Sequence, residues 1–276
     1  GHIDDDNSGF IASIRIPLLD GSMHEFLSKE NSTMDRGLAA MFPEIKAFDG
    51  VGSVNSEIAY WDFTPHGFHA MIQIPGQETV FIDPIIKGNN QYYIVYEKKD
   101  FITDKLMECN LIGQLENNAS SIIKSFGSCE LRNYRLALAA TGEYTAFHGG
   151  TVALAQAAQV TTMNRVNGVF LRDMAVRMTI VTNNNLLIYT NGGSDPYTNN
   201  DGFTMLGENQ TNCNAVIGSA NYDIGHVFST GGGGVAQLQS PCSSNKAQGV
   251  TGSGAPIGDP FDIDYVAHEM GHQFGC

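Results

Sequence analysis

His268-Glu269-Met270-Gly271-His272 constrains this chain more than any other segment, because the pattern carries its chemistry only on a helix. On a helix the two imidazoles lie one turn apart on one face, where both can ligate Zn²⁺. The Glu beside the first His can then act as general base for a water that the metal activates. A structural zinc site does not need that carboxylate, whereas a hydrolytic one does. Ile263, Ala267, Met270 and Phe274 form an apolar stripe with helical spacing. At ~100° per residue, His268 and His272 fall about 120–180° around from it. One face of the predicted helix therefore packs into a core and the other offers the imidazoles. Pro260 precedes it, and Asp262 and Asp264 sit where a cap and a favourable dipole charge are expected. Gly275 stands where one zincin class bends to bring in a third His, here at the equivalent of position 278. With only two ligands of its own, the 276-residue chain is expected to be inactive and to bind zinc weakly or not at all.

The composition narrows the class further. A chain that is 42% hydrophobic and 16% charged is globular, and its length predicts two domains. A net charge of −14 with 15 basic residues argues against nucleic acid and anionic membranes as partners. A monomer and a secreted location are expected. No run of 18 apolar residues is present to span a membrane. The opening Gly1-His2-Ile3-Asp4-Asp5-Asp6 reads as a mature start after export or a trimmed one.

The predicted fold is α+β overall. Residues 1–128 read as an antiparallel β domain with a linker, because runs such as Phe10–Leu19, Ile58–Phe63, Phe68–Ile74, Thr79–Asp83 and Gln91–Tyr96 are punctuated by Asp-Gly and Thr-Pro-His-Gly turns. Residues 129–276 read as an α/β layer with a mostly parallel sheet. Its helices are expected at Val152 to about Phe170 and at Gly202–Ile217. Its strands are expected near 134–145, 174–181, 186–189, 221–228 and 235–238.

These landmarks resemble a known family. Tyr134-Arg135-Leu136-Ala137-Leu138-Ala139-Ala140-Thr141-Gly142-Glu143-Tyr144 is similar to the first strand of bacterial reprolysin-like metallopeptidases. Val166–Phe170, Tyr222–Phe228 and His268–Gly275 are similar to later landmarks of that domain. The resemblance extends more loosely to the N-terminal part through Phe42–Lys46 and Tyr92–Tyr96, which looks like a propeptide. It implies a metzincin zinc endopeptidase with His268 and His272 as metal ligands and Glu269 as base. It also implies a cleft-edge strand around Tyr222, Ile224 and His226 that pairs with extended substrate. Two other readings stay open: a gluzincin-type peptidase, which Gly275 argues against, and a non-catalytic adhesion or inhibitory module centred on the N-terminal β domain.

Several features carry more than one reading. His226 in its alternating strand is a packed histidine or a substrate contact. Gly231-Gly232-Gly233-Gly234 lacks the Lys-Ser/Thr of a phosphate loop and reads as a flexible turn beside the cleft. Asn191–Gly202, with Asp195, Asn199, Asn200 and Asp201, could hold calcium, though a plain polar loop is the commoner outcome. Cys109 or Cys129 could act as a cysteine switch whose thiolate occupies the open zinc position. A structural Cys109–Cys129 disulfide is the more ordinary reading.

Overall fold

The computed structural model describes residues 12–53, 56–86, 88, 90–101, 109–113 and 130–276. The chain forms two compact units, one of residues 1–32 and 44–102, the other of residues 33–43 and 103–276. The fold is mixed α+β, with an antiparallel sheet in the first unit and a mixed sheet with helices in the second.

The first unit is a seven-stranded meander in sequence order. Its strands are β1 (Ala12–Pro17), β2 (Met23–Glu30), β3 (Lys46–Gly52), β4 (Ile58–Thr64), β5 (Gly67–Gln73), β6 (Val80–Pro84) and β7 (Tyr93–Glu97). Short polar turns between alternating apolar runs allow each strand to pair with the next. One face closes over Ile16, Phe26, Trp61, Ile72 and Ile82, with Phe48 stacked 5.8 Å from Trp61. Gly50 lies beneath that indole, where a Cβ would stand 2.7 Å from its Cη2.

The second unit opens with helix α1 (Arg36–Met41), capped by Asp35, whose carboxylate accepts from the Gly37 amide. Its sheet runs β10–β9–β11–β13–β12–β8. The strands are β8 (Cys109–Ile112), β9 (Arg132–Ala140), β10 (Val176–Ile180), β11 (Ile224–Ser229), β12 (Gly234–Gln237) and β13 (Gly249–Gly252). All neighbours are parallel except β12 and β13. Helices α2 (Gly142–Phe147), α3 (Val152–Met174) and α4 (Gly202–Val216) join or flank these strands. Thr151 caps α3, its side chain accepting from the Leu154 amide, and the helix runs four residues past Phe170 to a left-handed Ala175.

Some local expectations fail for identifiable reasons. The stretch 186–189 falls in and beside a 3₁₀ turn, Asn184–Leu187, because Asn184 turns inward. Its carboxamide accepts from the Leu138 amide and donates to Gln159. Tyr222–Phe228 was expected at a cleft edge, but β11 lies between β9 and β13 with both edges paired. Among the described residues, no helix is long and apolar enough to cross a membrane.

Candidate active site

The chain's last helix begins with α5 (Gly258–Phe261), continues through a π-helical stretch Asp262–Ala267 and ends as α6 (His268–Phe274). Pro260 sits in the first turn, where no amide is needed. Asp262 is not a cap: it lies inside the helix and is buried. It accepts from Thr162 Oγ1 at 2.6 Å and forms an ion pair with the equally buried Arg165 at 3.0 Å. That pair pins the helix to α3. The wider π turn sets the register of the residues that follow, a distortion that recurs at functional sites. Of the apolar stripe, Ala267 and Met270 are buried and Phe274 is edge-on to Tyr134 and Phe170, while Ile263, in the π stretch, is only half-buried. The helix stops at Gly275, which is left-handed (φ 91°). There the Gly275 and Cys276 amides donate to the His272 and Gly271 carbonyls, closing the end as a Schellman turn.

On the opposite face His268 and His272 converge with Cys109 from β8. Cys109 Sγ lies 3.3 Å from Nε2 of each imidazole, and the two Nε2 atoms are 2.9 Å apart. Among the described residues, no other three His, Cys, Asp or Glu side chains lie close enough to share an ion. β8 brings the thiol there by pairing parallel with β12, Cys109 opposite Gly234. Cys109 is not in a disulfide. Cys129 lies outside the described residues.

The donor set suits zinc. Zn–S of about 2.3 Å and Zn–N of about 2.0–2.1 Å put tetrahedral donors roughly 3.3–3.6 Å apart, close to the separations here. His272 Nδ1–H donates to the Cys276 carbonyl at 2.9 Å, which leaves its Nε2 lone pair facing the other donors. Three facing lone pairs repel one another unless a cation or proton lies between them. Burial, and then the neighbouring His272, hold His268 below its ordinary range. Burial, and then Glu269, raise the Cys109 thiol.

Glu269 is fully buried, and neither of its carboxylate oxygens has a conventional hydrogen-bond partner. Burial pushes it up to about 8, against a weaker opposing pull from the Cys109 thiol. Its space exists because position 234 is glycine. Gly234 is a strand residue, so it belongs to the frame of the site and not to a flexible turn.

Behind the imidazoles, Gln273 ties the helix to the sheet. Its amide donates to the Gly225 carbonyl at 3.0 Å and to Ser240 Oγ at 3.2 Å, while Oε1 accepts from His226 Nδ1 at 2.8 Å. His226 Nε2 in turn accepts from Thr251 Oγ1 at 2.8 Å. Tyr222, Ile224 and His226 are all fully buried, which corrects their expected substrate contact: a central strand turns its side chains into the core. The role of Gln273 was not foreseen, and its only sequence signal is a polar residue on the buried side of the helix. In the Asn191–Gly202 loop, Asp195 accepts from the Gly142 and Tyr197 amides and Asp201 caps α4. Those oxygens hold the loop together.

A helix bearing two imidazoles and a buried carboxylate beside a mixed sheet is an arrangement that metal-dependent hydrolases use. Residues 156–276 match the family model described as Metallo-peptidase family M12B, Reprolysin-like, so this stretch is similar to peptidases of that family. No curated protein matches the chain.

Proposed function

We propose that this chain is a zinc-dependent endopeptidase in a latent, zymogen-like form, with His268 and His272 as metal ligands and Glu269 as general base. The observation that carries this reading is the thiol of Cys109 lying 3.3 Å from Nε2 of both imidazoles, where it could serve as a third donor to a metal they hold. Zinc bound there would supply a Lewis acid for the scissile carbonyl and lower the pKa of a water. The chain's own residues do the rest. His272 is fixed in the Nε2-ligating tautomer by the Cys276 carbonyl. Glu269, held in a dry niche over Gly234, is suited to take a proton from water and pass it to the leaving amine. Protein or peptide substrates follow from the family match. The acidic, Lys/Arg-poor composition suits a secreted enzyme.

β8 supports the latent reading. It lies along β12 as an added strand, the place and manner in which an extended peptide would bind. The N-terminal region thus acts as a propeptide that fills its own cleft.

Cobalt substitution and turnover test the reading together. The 276-residue chain should bind one cobalt ion with a thiolate charge-transfer band, which Cys109→Ser abolishes, and should not cleave casein. The Cys109→Ser variant should show casein hydrolysis that a chelator stops. The proposal fails if the band survives the substitution or if that hydrolysis never appears.

A further inference from the structure

The opposite edge of the same sheet, at β10, is closed by a second piece of the N-terminal region. Thr33, Met34 and Asp35 lie parallel to β10, with Met34 opposite Ile180. The Ile180 amide donates to the Thr33 carbonyl at 2.9 Å, and the Asp35 amide donates to the Ile180 carbonyl at 2.8 Å. Another outward-facing residue of β10, Met178, is satisfied from within the unit: the Asn167 carboxamide bonds both its amide and its carbonyl. So α3 covers the edge at Met178 and residues 33–35 cover it at Ile180. Without them the Ile180 peptide groups would lose their partners on a strand whose side chain is fully buried.

The contact continues beyond the backbone pair. Thr182 Oγ1 donates to the Asp35 carboxylate. Thr33, Met34 and Leu38 are buried. Gly37 lies so close to Thr182 that a Cβ would overlap the threonine methyl group, with Oγ1 at 3.0 Å. This is a fitted seat made of paired backbone, a charged hydrogen bond, apolar anchors and one position that only glycine fits.

We propose that Thr33–Pro43 is an anchor that keeps the N-terminal region bound to the peptidase-like unit independently of Cys109. The inference rests on the latent-peptidase reading for its meaning: withdrawal of Cys109 uncovers the His pair without shedding the N-terminal region, so activation and release are separate events. Its test needs no turnover, so it can fail or succeed apart from that reading.

The experiment places a sequence-specific protease site within 103–108, so that cutting leaves β8 with the larger piece. The N-terminal piece should co-elute with the remainder on gel filtration, with Cys109 intact or as Cys109→Ser. Gly37→Leu should release it. Asp35→Ala, which removes the bond from Thr182, should weaken retention roughly tenfold. Hydrogen exchange on uncut protein supplies the folding control. Gly37→Leu should expose the Ile180 amide while the Val181 amide, bonded to the Leu136 carbonyl of β9, stays protected. If both amides are lost the variant has unfolded, and Asp35→Ala decides. Separation of the wild-type pieces after cutting, or unchanged retention in Asp35→Ala and Gly37→Leu, overturns the proposal.

Discussion

Gly234 lies directly beneath the Glu269 carboxylate. A Cβ on this glycine would overlap Glu269 Oε1 and stand 2.5 Å from both Glu269 Cδ and Tyr265 Cε2. One strand residue therefore sets the position of the candidate base. Gly234→Ala should lower stability by about 1–3 kcal/mol through overpacking, read as a lower urea midpoint. In a Glu269→Ala background the same change should cost less, because the atom it strikes is gone. Equal costs in the two backgrounds would contradict the contact.

Thiol chemistry should separate two cysteines sharply. Cys213 is fully buried and burial raises its thiol to about 12, so it should stay unmodified by alkylating reagents in native protein. Cys109 is exposed beside the two imidazoles. It should be protected when zinc is supplied and alkylated after chelation. Mass spectrometry of the labelled peptides reads both, and labelling of Cys109 at one rate with or without zinc would count against its place in the site.

Acid should loosen the sheet through His226. Burial lowers this imidazole to about 4 from 6.5, partly offset by Gln273. The unfolded chain takes up the proton first, so the stabilisation is fully present above pH 6.5 and is lost as pH falls through about 4. Between pH 7.5 and 5 the loss should be about 2 kcal/mol. Urea midpoints across that window should fall less steeply for His226→Gln, and parallel pH profiles would refute the assignment.

The buried Arg165–Asp262 pair should behave as a unit. Removing one partner, as in Asp262→Ala, leaves an uncompensated buried charge and should cost about 3–5 kcal/mol. Arg165→Met with Asp262→Leu should recover much of that loss. Because the pair fixes the helix carrying His268 and His272, zinc affinity should follow the same order. Isothermal titration alongside thermal melts would reveal any divergence.

Much of the site was legible in order along the chain. Helical periodicity placed Met270 and Phe274 inward and His268 and His272 outward, and Gly275 announced the turn that ends the helix. In the first unit β1, β4, β5, β6 and β7 followed from alternation and turn residues, whereas β2 and β3 were not read. The misreadings share a cause. Asp262 looks like a cap by position, but its partner is Arg165, ninety-seven residues earlier. The family resemblance implied an edge strand at Tyr222 and His226, and alternation could not correct it, because an alternating strand reads the same at the centre of a sheet and at its edge.

What the sequence determined by itself is the chemistry on offer: two imidazoles and a carboxylate on one helix, with spacing that local geometry enforces. The tertiary structure alone decided what meets them. Cys109 reaches the imidazoles only because β8 pairs with β12. Glu269 finds room only because Gly234 faces it, and β10 is closed by residues from the far end of the chain. Such pairings depend on strand order and register, which join residues far apart along the chain and leave no periodic trace in the sequence.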